Sequence, residues 1–180
     1  TGVKQNGSLT VALTEDRHEE ILRQASMAKA FGVDVNEISI SELKSFHPFL
    51  NVDDVKGAVH LPLDGQGDPA NIAMALAKGA RDLGVKIYED TKVTGLNTYN
   101  NSVSGVHWMN ENEKGFIKTE NAANCAGMWA RDFAEDQGVT VPLHACEHFY
   151  IVTEPVKDLS TLPVLRMPDE QTYYKEDAGK

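Results

Sequence analysis

The sequence predicts an α/β or α+β fold rather than a helical bundle or a β-sandwich. Two observations support this class: helical and strand patterns alternate along the chain, and an antiparallel meander interrupts them near its middle. The chain has 180 residues, of which 41% are hydrophobic and 24% charged, as is usual for a globular protein. This length suits one compact domain or two small interleaved lobes.

Helical periodicity and end signals predict four helices. They lie at residues 16–31, 39–46, 69–83 and 129–136. Thr14 or Asp16 is the expected N-cap of the first helix. A capping-box spacing from Ser39 to Glu42 starts the second helix, and Asp68 caps the third helix, whose first residue is a proline.

Seven segments have the composition of strands. They are residues 7–13, 57–61, 85–88, 92–96, 103–108, 115–119 and 147–153. A polar turn at residues 100–102 joins two of them as a hairpin, and a polar loop at 110–114 leads to a third strand. These three strands form the predicted antiparallel meander.

The charge and cysteine content exclude several functions. The chain has 17 Lys and Arg against 27 Asp and Glu, a net charge of −10, whereas nucleic acids and anionic membranes require clustered basic residues. No apolar run approaches the ~20 residues that span a bilayer. Cys125 and Cys146 lack the spacing of a zinc site, so no metal is expected. A disulfide between them stays possible, but a reduced, cytoplasmic type of compartment is favoured.

The sequence contains no GxGxxG, GxxxxGK[ST], HExxH or GxSxG motif, which leaves three weaker signals. Residues 124–129 form a strand-to-helix junction of small residues, where a ligand could approach the backbone; a simple tight turn is the favoured interpretation. Residues 64–69 contain two acids without the EF-hand spacing. A turn followed by a helix cap is therefore favoured there over a calcium site.

His148 and Tyr150 form the third signal. If residues 147–153 are a strand, these two side chains point to one face and Phe149 points to the other. A histidine beside a tyrosine suits substrate orientation or proton transfer near neutral pH. A packed aromatic edge with hydrogen-bonded polar tips explains the same pattern and is favoured on the pattern alone.

Five stretches of the chain, taken in order, resemble a known family. They are residues 7–12, 64–85, 90–95, 124–130 and 147–155, and the tail from Pro163 to Tyr173 also fits. Their order and spacing are similar to those of flavoproteins of the D-amino-acid-oxidase type. The branch is that of dimethylglycine dehydrogenase, sarcosine dehydrogenase and the pyruvate dehydrogenase phosphatase regulatory subunit. The resemblance covers nearly the whole chain.

The resemblance implies a two-lobe flavoprotein of the FAD/NAD(P)-binding type, with a mixed sheet, an antiparallel meander and a substrate-domain sheet. Residues 1–67 and 139–180 are expected on the substrate side and residues 68–138 on the FAD side, so the chain crosses near Gly67 and Gly138. The chain does not begin with Met and lacks the family's N-terminal GxGxxG. We therefore expect a middle fragment of a longer protein, truncated at its C-terminus.

The resemblance also implies cofactor-binding residues. Val93 corresponds to a strand that meets the adenine end of FAD in this family. Cys125, Ala126, Gly127 and Trp129 correspond to the segment that passes along the cofactor.

His148 and Tyr150 are the catalytic residues that the resemblance implies. They correspond to a strand over the flavin, on which the tyrosine contacts the carboxylate of an amine substrate. Phe149 replaces a residue that is usually polar, but it points to the opposite face. Arg166 is a weaker candidate for binding the same carboxylate.

The implied function is FAD-dependent oxidation of a secondary or tertiary N-methyl amine of the glycine type, by oxidative demethylation. The partners are a small amine and the rest of the parent chain, in the cytoplasm or, in a eukaryote, in the mitochondrial matrix. FAD belongs to the parent; this fragment alone should be inactive and bind FAD weakly or not at all, because it lacks the diphosphate-binding turn. Two alternatives stay open: a non-catalytic regulatory or binding relative of the same fold, and a ligand-binding α/β domain without flavin history.

Overall fold

The computed structural model describes residues 2–180, which form two compact units. The first unit contains the chain up to Asp82 together with Ile151–Lys180, and the second contains Leu83–Tyr150. The mixture of helices and sheets confirms the predicted fold class. None of the helices in residues 2–180 is both long and apolar enough to cross a membrane.

Residues 2–180 contain four α-helices and ten strands. The helices are α1 (Glu15–Ala30), α2 (Ile40–Phe46), α3 (Pro69–Asp82) and α4 (Ala130–Asp136). The strands are β1 (Val3–Lys4), β2 (Ser8–Ala12), β3 (Asn36–Ile38), β4 (Gly57–Leu61), β5 (Gln66–Gly67), β6 (Lys92–Tyr99), β7 (Ser102–Met109), β8 (Lys114–Lys118), β9 (Val164–Met167) and β10 (Thr172–Tyr174). Short 3₁₀ turns lie at Gly127–Trp129 and Pro168–Glu170.

The central sheet of the first unit has five strands in the order β10-β9-β2-β4-β3. Strand β2 is antiparallel to β4 and parallel to β9, so Leu9 lies between His60 on one side and Leu165 on the other. Strand β1 pairs separately with β5. The parallel pairing brings the beginning and the end of the chain into one sheet.

Both faces of β2 are buried, because its side chains alternate between two hydrophobic clusters. One face places Leu9 and Val11 in a cluster with Leu43 of α2. The opposite face places Ala12 in a cluster with Ile21 of α1. The two helices therefore cover opposite faces of the sheet.

Three predicted helix starts are confirmed. Thr14 accepts a hydrogen bond from a backbone N–H in the first turn of α1. Ser39 and Glu42 form the complete capping box of α2. Asp68 accepts hydrogen bonds from two backbone N–H groups at the start of α3, at 2.9 and 3.2 Å. Each cap satisfies donors that the first helical turn leaves without a partner.

The second unit contains the predicted meander, in the order β6-β7-β8. Asn100 and Asn101 turn the chain between β6 and β7 with φ values of +49° and +59°, a left-handed conformation that asparagine tolerates. On β7, Gly105 lies under the ring of Phe116 from β8, and a Cβ at this position would overlap that ring. Glycine is therefore required there for close side-chain packing.

Two predicted strands are absent from residues 2–180. Residues 85–88 and 147–153 form no strand, and no described strand pairs with either of them. In the second segment Phe149, Tyr150 and Ile151 are 84%, 81% and 92% exposed. The strand prediction is wrong for both segments, because apolar and β-branched composition favours a strand only where a neighbouring strand supplies hydrogen bonds and side-chain contacts.

The anchoring of α3 explains where the two units divide. The N–H of Asp68 donates to the carbonyl of Gly2 at 2.7 Å, and β5 pairs with β1 just before the helix. The sequence placed the chain crossings near Gly67 and Gly138, whereas the units divide after α3 and before residue 151. Which unit lies on the FAD side and which holds the substrate stays a prediction.

Candidate functional site

A cleft of about 1440 Å³ lies within the second unit. The meander, the segment 121–126 and α4 all contribute to its lining. Apolar side chains form much of this lining: Val93, Leu96, Val106, Ile117, Trp129 and Phe133. Three alanines, at positions 122, 123 and 126, add a stretch of small side chains. The cleft therefore combines an apolar wall with an accessible segment of backbone.

Four of the five predicted cofactor-binding residues meet in this cleft. Val93 reaches it from β6, whereas Cys125, Ala126 and Trp129 reach it from the junction before α4. Gly127 is not part of the lining, and its φ of +56° shows that it provides the left-handed residue that opens the 3₁₀ turn. The tight-turn interpretation of this junction and its place beside a cleft are therefore compatible.

Asn124 holds the junction in shape. Its Nδ2 donates to the carbonyl of Ala130 at 2.9 Å, and its Oδ1 accepts from the N–H of Ala126 at 3.2 Å. One side chain thus connects the segment that lines the cleft to the start of α4. The sequence placed Asn124 in the motif without assigning it a role, although asparagine is well suited to bonding nearby backbone in turns.

Gln137 makes the second contact that the sequence did not reveal. Its Oε1 accepts a hydrogen bond from the N–H of Leu96 at 2.9 Å, so the end of α4 is fixed to β6. The register of β6 against β7 shifts on both sides of Leu96. Irregular pairing frees backbone groups that need other partners. No local sequence pattern indicates such a contact, because it joins residues 41 positions apart.

The lining of the cleft is chemically compatible with part of the FAD molecule that the resemblance implies. Two lysines and two aspartates line it, so the formal charges balance: Lys86, Lys92, Asp132 and Asp136. The apolar wall and the small alanines suit a flat ring placed against the backbone, and the volume exceeds the ~300–1,000 Å³ of most small-molecule sites. Helix α4, which follows the junction, has only seven residues. The described lining of the cleft contains no glycine-rich turn at the start of this helix. The lining therefore suits the ring-bearing ends of FAD and not its diphosphate.

His148 and Tyr150 lie outside this cleft. Both are exposed in the irregular segment before residue 151, and neither is part of the lining. Arg166 lies on β9 of the first unit, opposite Tyr173 of β10, and is also exposed. The structure thus brings four of the predicted cofactor residues together in one lining, and none of the predicted substrate residues is part of that lining.

Residues 2–180 provide no group of three or more His, Cys, Asp and Glu side chains that could hold a metal ion. Cys125 and Cys146 are both exposed free thiols.

Comparison with known proteins identifies the family. The model of the FAD-dependent oxidoreductase (DAO) family matches residues 1–180. Human mitochondrial sarcosine dehydrogenase is 37% identical over 180 residues, which cover 97% of this chain and 19% of that protein. The mouse mitochondrial pyruvate dehydrogenase phosphatase regulatory subunit is 38% identical over 157 residues, covering 86% of this chain and 17% of that protein.

A solved structure gives the same result. L-proline dehydrogenase from P. horikoshii superimposes with a TM-score of 0.81 and 26% identity, over 98% of this chain and 47% of that chain. The chain spans about a fifth of the length of the curated relatives that it matches. These matches confirm the resemblance deduced from the five stretches of sequence. The chain therefore belongs to the D-amino-acid-oxidase family of FAD-dependent oxidoreductases.

Proposed function

We propose that this chain is part of an FAD-dependent dehydrogenase or oxidase that acts on a secondary or tertiary N-methyl amine of the glycine type. The observation that carries this proposal is the 37% identity to sarcosine dehydrogenase over almost the whole chain. The structural relative is named for L-proline. Sarcosine and proline are both secondary amines with a carboxylate on the neighbouring carbon, so the compounds for which the two relatives are named share these two groups.

The proposed reaction is oxidative demethylation. When bound, FAD supplies the acceptor for the two electrons that leave an N-methyl C–H bond as a hydride. The oxidised amine is an iminium ion, and water hydrolyses it to formaldehyde and the demethylated amine. The tasks of the protein are to hold the amine unprotonated, to orient its methyl group and to bind its carboxylate.

The cleft of the second unit supports a role in cofactor binding. We assign Val93, Cys125, Ala126 and Trp129 of the lining to contacts with FAD, and we assign Gly127, which is outside the lining, to the same cofactor as part of the junction before α4. Because the cleft lacks a diphosphate-binding turn, the chain of 180 residues should bind FAD only weakly. Titration followed by flavin fluorescence tests this expectation, and stoichiometric binding with a dissociation constant below about 1 µM would contradict it.

Tyr150 and His148 are assigned to the substrate. The Tyr150 hydroxyl would donate a hydrogen bond to the carboxylate, and the His148 imidazole would hold the amine or accept its proton near neutral pH. Tyr150 is 81% exposed, so its hydroxyl is accessible to a ligand. The proposal assigns these two groups to binding and orientation, and the electron transfer to the cofactor.

Replacing Tyr150 by Phe in the full-length parent tests the assignment. The change removes one hydrogen bond to a charged group, worth about 1.5–3 kcal/mol, so kcat/KM for sarcosine should fall roughly ten- to hundred-fold. A rise in KM alone would indicate ground-state binding, whereas a fall in kcat would indicate orientation of the reacting nitrogen. Tyr99→Phe is a matched control, because Tyr99 is 73% exposed on the meander. Equal kinetics of the Tyr150 variant, the control and the parent would show that the assignment of Tyr150 to the substrate is wrong.

A regulatory role is the second candidate, because a phosphatase regulatory subunit is as similar to the chain as sarcosine dehydrogenase is. The two candidates differ in one measurement. An enzyme bleaches its flavin absorbance when sarcosine is added without oxygen. A regulatory relative binds flavin or amine without this reduction, and observing that result in the full-length parent would favour the second candidate.

The location in the cell is also a proposal. Both mammalian relatives are named as mitochondrial. We therefore propose the mitochondrial matrix for a eukaryotic parent and the cytoplasm for a bacterial one.

A further inference from the structure

A second cleft, of about 760 Å³, lies within the first unit beside the end of α2. Phe46, Phe49, Leu162 and three prolines form its apolar lining. Phe46 packs against the ring of His60 from β4, with the ring centroids 4.4 Å apart. Phe49 is 57% exposed, so much of its ring is accessible. The lining therefore offers aromatic surfaces against which another ring can pack.

The polar groups of this cleft include several hydrogen-bond acceptors. The amide nitrogens of Gln5 and Asn6 donate to the carbonyls of Leu63 and Leu162, which leaves the amide oxygens for other donors. Oδ1 of Asn6 is buried and accepts no hydrogen bond within residues 2–180. Asp158 adds a carboxylate, and two hydroxyl groups can act as donor or acceptor. A ligand that brings N–H donors complements this set.

The charge of the lining disfavours the binding of acidic ligands. Of the described residues that line the cleft, Asp158 is the acidic one and none is a lysine or arginine. Burial lowers the pKa of His60 from its ordinary 6.5, so its imidazole is neutral at pH 7. The chain as a whole carries a net charge of −10. A carboxylate or phosphate would meet no cation here, so the cleft does not suit the acidic end of a glycine-type substrate.

We propose that this cleft binds an aromatic ammonium compound. The ring packs against Phe46 and Phe49, and the ammonium group donates to the Asp158 carboxylate and to the amide oxygens of Gln5 and Asn6. This site is separate from the amine oxidation proposed above, because all of its groups belong to the first unit and none was assigned to FAD or to the oxidised amine. Its test needs no flavin, so it can fail while the proposed function survives.

The test is an amide NMR titration of the chain with 2-phenylethylammonium. Shift changes are expected at residues 45–49 and 158–163, with a dissociation constant of about 1 mM or below, as for a ligand of this size. Phenylacetate has the same ring and the opposite charge, and ethylammonium has the charge without the ring. Each of these two compounds should bind at least about fivefold more weakly, because each lacks one of the two contacts.

Two variants locate the binding site. Phe49→Ala should weaken binding about two- to tenfold, and Asp158→Asn about two- to fivefold. Asparagine suits position 158, because Asp158 has a φ of +64° and asparagine tolerates this left-handed conformation. Phe31→Ala and Asp53→Asn are the matched controls, since both residues are exposed in the same unit and neither lines the cleft. Both controls should leave the affinity unchanged.

Several results would overturn the proposal. They are the absence of binding at about 10 mM ligand, equal binding of phenylacetate, shift changes in another part of the chain, or unchanged affinity in both cleft variants. The amide spectrum of each variant also shows whether it is folded, so a loss of binding through unfolding is recognised. The titration is repeated with the full-length parent. Binding by the chain but not by the parent would mean that another segment of the parent covers the cleft, and the proposal would then be wrong.

Discussion

Replacement of Asp169 should destabilise the first unit, because several contacts depend on its one carboxylate. Asp169 lies in the 3₁₀ turn between β9 and β10. Its carboxylate accepts from the backbone N–H of Leu13 at 2.9 Å and from the Thr14 hydroxyl and Arg17 Nε, each at 3.3 Å. One side chain thus joins the end of the chain to the end of β2 and to the start of α1. An acidic group in this place also complements the N-terminal end of the helix dipole.

The magnitude of this effect follows from the contacts that are lost. A hydrogen bond from a backbone N–H to a carboxylate contributes about 1.5–3 kcal/mol, and the partial exposure of Asp169, 17% of its side chain, favours the lower end. The ion pair with Arg17 adds at most about 1 kcal/mol, because the Arg17 side chain is 30% exposed and screened by solvent. Asp169→Ala should therefore cost about 2 kcal/mol. For a chain of 180 residues this corresponds to a melting temperature lower by about 4–8 °C.

Thermal and urea unfolding at several pH values measure this effect. The N–H of Leu13 and the side chains of Arg17 and Thr14 hold the pKa of Asp169 below its ordinary 3.8. A group whose pKa is lower in the folded state stabilises the protein above its unfolded pKa, and this contribution is lost as the pH falls through the folded pKa. The difference in the free energy of unfolding between the parent and the variant should thus have its full value at pH 7 and should decrease below about pH 4.

Glu170→Ala is the matched control for this experiment. Glu170 is the neighbouring acid in the same turn, it is exposed, and its loss should change the stability by less than about 0.5 kcal/mol. Equal effects of the two alanine variants would refute the assigned contacts. A difference between Asp169→Ala and the parent that stays constant down to about pH 3 would refute the electrostatic part of the reasoning.

Two further predictions concern packing and pH. Gly105→Ala should destabilise the second unit by about 1–3 kcal/mol, because a Cβ there overlaps the phenylalanine ring of β8. In contrast, a Cβ at Gly79 in α3 meets no atom within 4 Å, so Gly79→Ala should stabilise the protein by about 0.5–1 kcal/mol. Urea midpoints of the two variants provide this test, and similar values would contradict it. Burial lowers the pKa of His47 and of His60 from 6.5, so the unfolded chain takes up protons first and the stability should fall as the pH decreases from about 7 to 5.5. Urea midpoints across this range should decrease less in a variant with both histidines replaced by Gln, and equal slopes would disprove the mechanism.

The sequence predicted those parts of the fold that depend on local signals. The caps at Thr14, Ser39 and Asp68 and the asparagine turn of the meander are each determined by a few neighbouring residues. Strand β9 was missed as an element, because it pairs in parallel with β2 from the other end of the chain. Such long-range pairing leaves little trace in a short window of sequence.

The strand that was predicted wrongly at residues 147–153 has the opposite cause, because its local signal is strong and its long-range pairing is missing from the described part of the chain. Its apolar and β-branched composition is that of a strand, yet no strand in residues 2–180 pairs with it, and Ile151 is 92% exposed. At the candidate site, Cys125 and Trp129, which the resemblance assigns to cofactor binding, line the cleft, and their contact with FAD stays a prediction. The resemblance assigned no role to Asn124 and did not indicate Gln137, because their roles depend on contacts with backbone groups that become free only in the folded chain.

Neither of the two clefts is suited to binding the carboxylate of a glycine-type amine. The cleft of the first unit contains no basic residue among its described lining, and in the cleft of the second unit the two lysines are balanced by two aspartates. Neither lining includes an arginine, the side chain best suited to binding a carboxylate through two parallel hydrogen bonds. If the proposed function is correct, the carboxylate must therefore be held by groups outside both clefts, and Tyr150 is the candidate assigned above. The Tyr150→Phe experiment thus also measures the share of this one side chain: a loss near hundredfold means that the tyrosine hydroxyl is the main donor, whereas a loss near tenfold means that other groups of the parent carry much of the contact.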